Sequence, residues 1–176
     1  AICRNTCFNS SCPGILALVI VVFLLEGIKL ILPTNFNAMV SMDSFDFAGK
    51  RALIRVDFNV PLNEALVVTD NTRIVAALAT IKKVLSSGGS VVLMSHLGRP
   101  KNGPEAKFSL KNLVKPIEGL LGLPVQFAED CIGDSAFTLS SNLKPGEVLL
   151  LENLRYHKEE TKGDVEFAKK LSTHGD

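Results

Sequence analysis

The sequence predicts an α/β fold, a parallel sheet with helices on both faces, on three observations. Three stretches, 51–61 (RALIRVDFNVP), 90–100 (SVVLMSHLGRP) and 147–155 (EVLLLENLR), are largely apolar and then break into polar residues. Such runs suit strands buried on both faces. Segments with apolar residues at helical spacing lie between them, and that alternation is the pattern of βαβ units. Glycine and proline mark the joins.

In chain order, the first strand covers 52–58 and ends in Asp57, Asn59 and Pro61. A polar connection, 63–71, supplies Asp70 or Asn71 as a helix cap. Ile74, Leu78, Ile81 and Leu85 recur at helical spacing, so 72–87 reads as a helix stopping at Gly88-Gly89. The second strand is 90–95, and 96–104 is a loop with Gly98, Pro100 and Gly103. Ser109 caps a further helix through Leu110, Leu113, Val114, Ile117 and Leu121, with Pro116 marking a kink or a fresh start. A short strand at 125–127, a weak helix at 134–142 and a turn at Pro145-Gly146 lead to the third polar-tipped strand. Residues 158–163 read as an exposed charged loop, and 165–171 as a last helix behind Asp164. The whole is a Rossmann-like sheet without internal repeats.

The amino-terminal part differs in composition. Arg4, Glu26 and Lys29 are the only charges before residue 42, although the chain has 19 basic and 18 acidic residues. Residues 15–25 form an unbroken apolar run of 11. As a membrane span the longer segment, 15–32, would bury Glu26 and Lys29 at about 2.5–3.5 kcal/mol each. No small-residue cleavage site follows. The expectation is a hydrophobic extension, 1–41, outside the working domain, with a membrane anchor as the alternative. The net charge of +1 gives no argument for nucleic acid. Cys3, Cys7 and Cys12 lie in the extension and Cys131 stands alone, which fits a reducing compartment and no disulfide framework. Their spacing, without a nearby histidine, makes a poor zinc site.

If the three strands run parallel, Asp57, Asn59, His96, Arg99 and Arg155 gather at one sheet edge, where open α/β sheets bind ligands. Arg99 and Arg155 suit a phosphate, because a guanidinium makes two parallel charge-assisted bonds. Gly98 lets the backbone approach a ligand. Asp57 suits a hydroxyl rather than a phosphate, and Asn59 suits a hydroxyl or a carboxylate oxygen. Arg73, in the first turn of a helix, is slightly unfavourable there unless an anion offsets it. Each has a plainer role: turn capping by Asp57 and Asn59, ion pairs from Arg99 and Arg155 to Glu105 or Glu152, a structural His96, and a solvated Arg73. No GxGxxG or GxxxxGK[ST] loop is present.

RVDFNVP, TRI at 72–74, SHLGRP and LLENLR, in this order, resemble the signature segments of the phosphoglycerate kinase family, over about 44–176. The resemblance implies an incomplete N-terminal domain, 42–176, of a two-domain kinase that transfers a phosphoryl group reversibly between 1,3-bisphosphoglycerate and ADP. It implies that His96, Arg99 and Arg155 hold the phosphate of 3-phosphoglycerate, Asp57 and Asn59 orient the glycerate, and Phe58, Leu97 and Gly98 shape the pocket. Arg73 is implied to be catalytic. ATP or ADP with Mg2+ would be bound by a C-terminal domain that this chain lacks, with no cofactor or metal site here. A cytoplasmic enzyme, monomeric when complete, without nucleic-acid or membrane partners, completes the expectation. These residues alone are expected to be inactive. The alternative is a non-catalytic anion-binding α/β module.

Overall fold

In a computed structural model of the chain, residues 20–22, 42, 45–101 and 103–176 are described. The strands are β1 (Ile20–Val22), β2 (Arg51–Arg55), β3 (Ser90–Met94), β4 (Val125–Ala128) and β5 (Val148–Leu151). The helices are α1 (Thr72–Ser86), α2 (Val114–Leu121), α3 (Asp134–Ser141), α4 (Lys158–Lys162) and α5 (Val165–Ser172). One sheet has the order β1-β2-β3-β5-β4. β2, β3, β5 and β4 are parallel, with Arg51 opposite Ser90, Val91 opposite Val148 and Val125 opposite Val148.

The sheet departs from an all-parallel arrangement at its edge. β1 pairs antiparallel with β2, Ile20 opposite Arg55 and Val22 opposite Leu53. Three residues of the apolar extension therefore add a short strand. The remainder of the expected span, cleavage region and cysteine cluster lies outside the described residues. Among the described residues no helix is long and apolar enough to cross a membrane.

The period of two along each strand divides two cores. Ala52 and Ile54 of β2, Val91 and Leu93 of β3, and Val148 and Leu150 of β5 face one cluster, with Ile74, Ile81 and Val84 of α1 and Ile117 and Leu121 of α2. Leu53, Val92, Met94, Leu149 and Leu151 face the other, with Ala136 of α3 and Phe167 and Leu171 of α5. Phe47 and Phe58 are fully buried; burying a side chain of this kind contributes about 1.5–3 kcal/mol.

The caps follow the sequence signals. Asp70 Oδ1 accepts from Thr72 N at 2.8 Å ahead of α1, so Asp70 rather than Asn71 supplies the side-chain cap. Ser109 Oγ accepts from Lys111 N at 3.2 Å. Residues Leu110–Leu113 form a 3-10 turn, and α2 starts afresh at Val114 with Pro116 in its first turn. That placement tolerates proline because the first turn's N–H groups lack intrahelical partners. Asp164 Oδ1 accepts from Phe167 N at 2.8 Å and begins α5. The expected loop 158–163 is instead the short helix α4, closed by Gly163 at φ 68°. Glu159 and Glu160 in its first turn complement the helix dipole. Five residues carry too little apolar pattern to reveal a helix in sequence.

His174 fastens the second core. It is fully buried, stacks on Phe137, donates from Nε2 to the Cys131 carbonyl at 2.9 Å, and meets Ser140 Oγ through Nδ1 at 2.8 Å. Burial holds its pKa below the ordinary value, and Arg51 adds to the effect. The unfolded chain therefore binds the proton more readily, and stability falls as pH drops below about 6.5. Urea midpoints of the chain should decrease from pH 7 to pH 5, and decrease less in His174→Gln; equal pH slopes would remove His174 as a cause.

Candidate functional site

The tips of β2, β3 and β5 are tied together by hydrogen bonds that continue where the ladders stop. Val56 N donates to Met94 O at 3.0 Å. Ser95, fully buried, receives Phe58 N at Oγ (2.9 Å) and donates from Oγ to Val56 O (2.9 Å). Its carbonyl accepts Leu154 N at 3.1 Å, so the tip of β5 joins the same knot. Asn59 Oδ1 accepts Gly98 N at 2.8 Å, and Arg155 Nη1 donates to Gly98 O at 2.9 Å. One glycine is thus held from both sides, by β2's tip and by the turn after β5. Gly98 has φ 61°, and a β-carbon there would lie 2.4 Å from the Phe108 ring. Both facts require glycine.

The structure brings the expected residues to one edge. Asp57 accepts Asn59 N at 3.2 Å through Oδ1, while its Oδ2 pairs with Arg73 Nη1. Arg73 and Asp57 side chains are 50% and 41% exposed, so their pair is worth about 0–1 kcal/mol and a ligand can replace it at small cost. His96 is half-buried and lies among Arg155, Asp57, Arg55 and Glu160. Burial lowers its pKa first, and the Arg155 charge lowers it further, so the imidazole is neutral near pH 7. Phe58 and Leu97 are buried in the first core, and Leu97 presents its carbonyl to Asn153.

The plainer roles divide. Asp57 and Asn59 do cap the turn after β2. Arg99 and Arg155 do not take the ion pairs considered for them. Glu105 pairs with Lys107 at 3.0 Å, and Glu152 accepts Ser109 Oγ at 2.6 Å, Leu110 N at 2.8 Å and Asn153 N at 2.7 Å. Arg99 is exposed, with no hydrogen bond or ion pair to any described residue. Arg155 Nε is buried without a hydrogen-bond partner, the nearest carboxylate oxygen being Glu160 Oε2 at 3.9 Å. Arg155 thus keeps one charged N–H uncommitted, and Arg99, which follows Gly98 in sequence, has no polar partner among the described residues.

Several residues of this region escape a reading of motifs. Arg55, the last residue of β2, pairs with Glu160 Oε1 at 2.6 Å and helps hold the carboxylate beside Arg155. Ser95, Glu152 and Asn153 are buried polar groups at strand tips. The signal that finds Glu152 and Asn153 is two polar residues directly after a fully apolar strand, since such groups must be hydrogen-bonded when buried.

Two other features take no part. A surface cleft of about 330 Å3 lies between the connection before α1 and helix α2, lined by Val68, Thr69, Asp70, Asn71, Pro116 and Leu120. It contains no cation and does not suit a phosphate. Asp130, Cys131 and His157 place ligand-type atoms within 4.8 Å of one another. Asp130 Oδ1 already accepts from His157 Nε2 at 2.7 Å and from Cys131 N at 2.6 Å. Burial, then the Asp130 charge, pushes the Cys131 thiol far above its ordinary pKa, which opposes the thiolate a metal would need.

Comparison with known proteins places the chain in a family. The family model described as phosphoglycerate kinase matches residues 42–176. Phosphoglycerate kinase of Chloroherpeton thalassium is 56% identical over 136 residues, covering 77% of this chain and 34% of that protein. The cytosolic phosphoglycerate kinase of Triticum aestivum is 53% identical over 131 residues, covering 74% of this chain and 32% of that protein. The solved phosphoglycerate kinase of Pyrococcus horikoshii OT3 superposes with a TM-score of 0.68 at 32% identity, over 76% of this chain and 34% of that one. The Coxiella burnetii enzyme gives 0.64 at 33%, over 74% and 32%. The chain spans about a third of the length of these relatives. With the family model matched over residues 42–176 and relatives 56% and 53% identical, the chain belongs to the phosphoglycerate kinase family.

Proposed function

We propose that residues 42–176 are the 3-phosphoglycerate-binding part of a phosphoglycerate kinase, and that residues 1–41 are an extension that is not needed for it, although residues 20–22 pair on the edge of its sheet. The observation that carries this is the pair of arginines at Gly98: Arg155 bonded to its carbonyl with Nε left over, and Arg99 next in sequence with no polar partner among the described residues. Together with His96 they take the phosphate. Asp57 and Asn59 take the glycerate hydroxyl and carboxylate oxygens, and Phe58, Leu97 and Gly98 form the wall. Arg73, released from Asp57, faces the carboxyl end, where the phosphoryl group leaves 1,3-bisphosphoglycerate for ADP or returns from ATP.

Catalysis of this kind rests on positioning and on stabilising the charge of the moving group. The described residues do not fit a nucleotide. The three strand tips lack a glycine-rich phosphate loop, and the carboxylates near them, Asp57 after β2 and Glu160 of α4, are engaged by Arg73 and Arg55. ATP or ADP with Mg2+ is assigned to a second, C-terminal domain, and closure of the two domains excludes water. On this reading the 176 residues do not turn over by themselves and act in the cytoplasm only as part of a complete, monomeric enzyme. Turnover by the pure chain would overturn that assignment.

Arg99→Ala and Arg155→Ala should each weaken binding of 3-phosphoglycerate about tenfold or more, the loss of one charge-assisted contact of about 1.5–3 kcal/mol. Calorimetry on the chain checks this, and unchanged affinity in both removes them from the site. Arg73→Ala in a complete enzyme should lower kcat more than it raises the KM for 3-phosphoglycerate; a change in KM alone rejects a role in the transition state. A phosphate beside His96 favours the imidazolium, so binding raises a pKa that the free protein holds low. Proton uptake on binding is therefore expected at pH values between the lowered pKa of the free protein and the raised pKa of the complex, and should disappear in His96→Gln. Titrations in buffers of different ionisation enthalpy measure it, and uptake that persists in the variant assigns the proton elsewhere.

A further inference from the structure

Asn153 lies two residues beyond the end of β5 and two before Arg155, and it is 1% exposed. Its Nδ2 donates to Leu97 O and to Phe108 O, both at 2.8 Å, and its Oδ1 accepts Arg155 N at 3.0 Å. All the hydrogen-bonding atoms of one planar amide are thereby engaged. Two of the three partners frame the phosphate pocket directly: Leu97 precedes Gly98-Arg99, and Arg155 is the other guanidinium. The third, Phe108, is the residue whose ring closes over Gly98. We propose that Asn153 is the positioning residue of this pocket, locking the turn that carries Arg99 and the turn that carries Arg155 at one separation so that both cations meet the same phosphate group. This rests on the phosphate-binding reading above.

The side-chain type follows from the partners. Two carbonyls need N–H donors and one backbone amide needs an acceptor, and a carboxamide supplies both from a single rigid group. An ionised aspartate has the same shape and no donor, so it would turn two carbonyl oxygens against a carboxylate. Glu152 steadies the far side by holding Ser109 and Leu110, but it touches neither cation-bearing turn. Asn153 bonds to both through one rigid amide, whereas the other links between the turns are the Arg155 guanidinium itself on Gly98 O and the Ser95 carbonyl on Leu154 N. Two-pronged recognition of a phosphate tolerates little displacement of either arginine, so loss of the amide should appear in affinity before it appears in the fold of the sheet.

The test is a titration of the isotope-labelled chain with 3-phosphoglycerate, and with glycerate as the phosphate-free control, followed at the Gly98, Arg99 and Arg155 amides. Asn153→Asp and Asn153→Ala are compared with Leu143→Ala, which removes buried side chain from the second core and touches neither turn. Urea midpoints are measured for all, and affinities are taken among folded molecules. The expected result is at least about tenfold weaker binding of 3-phosphoglycerate in both Asn153 variants, with the Gly98 amide resonance moved before ligand is added. Leu143→Ala should keep the wild-type affinity despite its lower midpoint. Unchanged affinity in the Asn153 variants, with phosphate-dependent binding intact in the unaltered chain, overturns the positioning role alone. An equal loss in Leu143→Ala also overturns it, by showing a general effect of stability. No phosphate-dependent binding by the unaltered chain overturns both this role and the reading of the pocket.

Discussion

β2, β3 and β5 are apolar on both faces of one sheet, and this burial constrains everything polar in the domain. A charged group in mid-strand would lose its hydration without a partner, at a cost no single contact restores. Polar side chains are therefore confined to the strand tips, and parallel pairing sends the tips of all three strands to one edge. The site is the place where the two hydrophobic clusters end. Its contents come from segments far apart in sequence, and they meet because the sheet permits them nowhere else.

Once gathered, the groups are held by backbone atoms as much as by each other. Gly98 is gripped at its amide by Asn59 and at its carbonyl by Arg155, while Ser95 bonds to the chain following both β2 and β5. These bonds are short-range and directional, so they fix separations that hydrophobic packing alone leaves loose. Charge pairing has a smaller share. The Arg73–Asp57 pair is open to solvent, whereas Glu160, only 9% exposed, lies between Arg55 and Arg155. A rigid frame thus carries cations of unequal freedom, tethered at Arg155 and loose at Arg73 and Arg99. Membership of the phosphoglycerate kinase family gives this frame a recognisable use.

Much of this was legible from the sequence, for identifiable physical reasons. Strands such as 90–94 are read easily because continuous burial writes itself as continuous hydrophobicity. Helix α1 is read from its spacing, and α5 from Asp164 and the apolar positions behind it. Asp57, Asn59, His96, Arg99 and Arg155 all follow apolar strands in the sequence, and the parallel pairing of those strands brings their tips to one edge. What stayed hidden depends on tertiary geometry. Helix α4 has too few residues for a period to show. The pairing of β1 on the edge of β2 reuses a run whose composition equally suits a membrane helix. Asn153 looks like an ordinary loop residue until its three partners, 45 and 56 positions away or two along, are brought around it. Burial of a polar atom is a property of the fold, and single-residue chemistry does not announce it.

Arg99 is exposed and has no polar partner among the described residues, which on the proposed reading shapes how an anion arrives as well as how it stays. An unneutralised positive charge at the mouth of a site biases the diffusion of small anions over roughly one Debye length, about 8 Å at physiological ionic strength. Arg155, partly sunk against Glu160, contributes little at that range. On the phosphate-binding reading proposed above, capture and retention thus fall to different arginines, and background salt slows the first far more than it loosens the second.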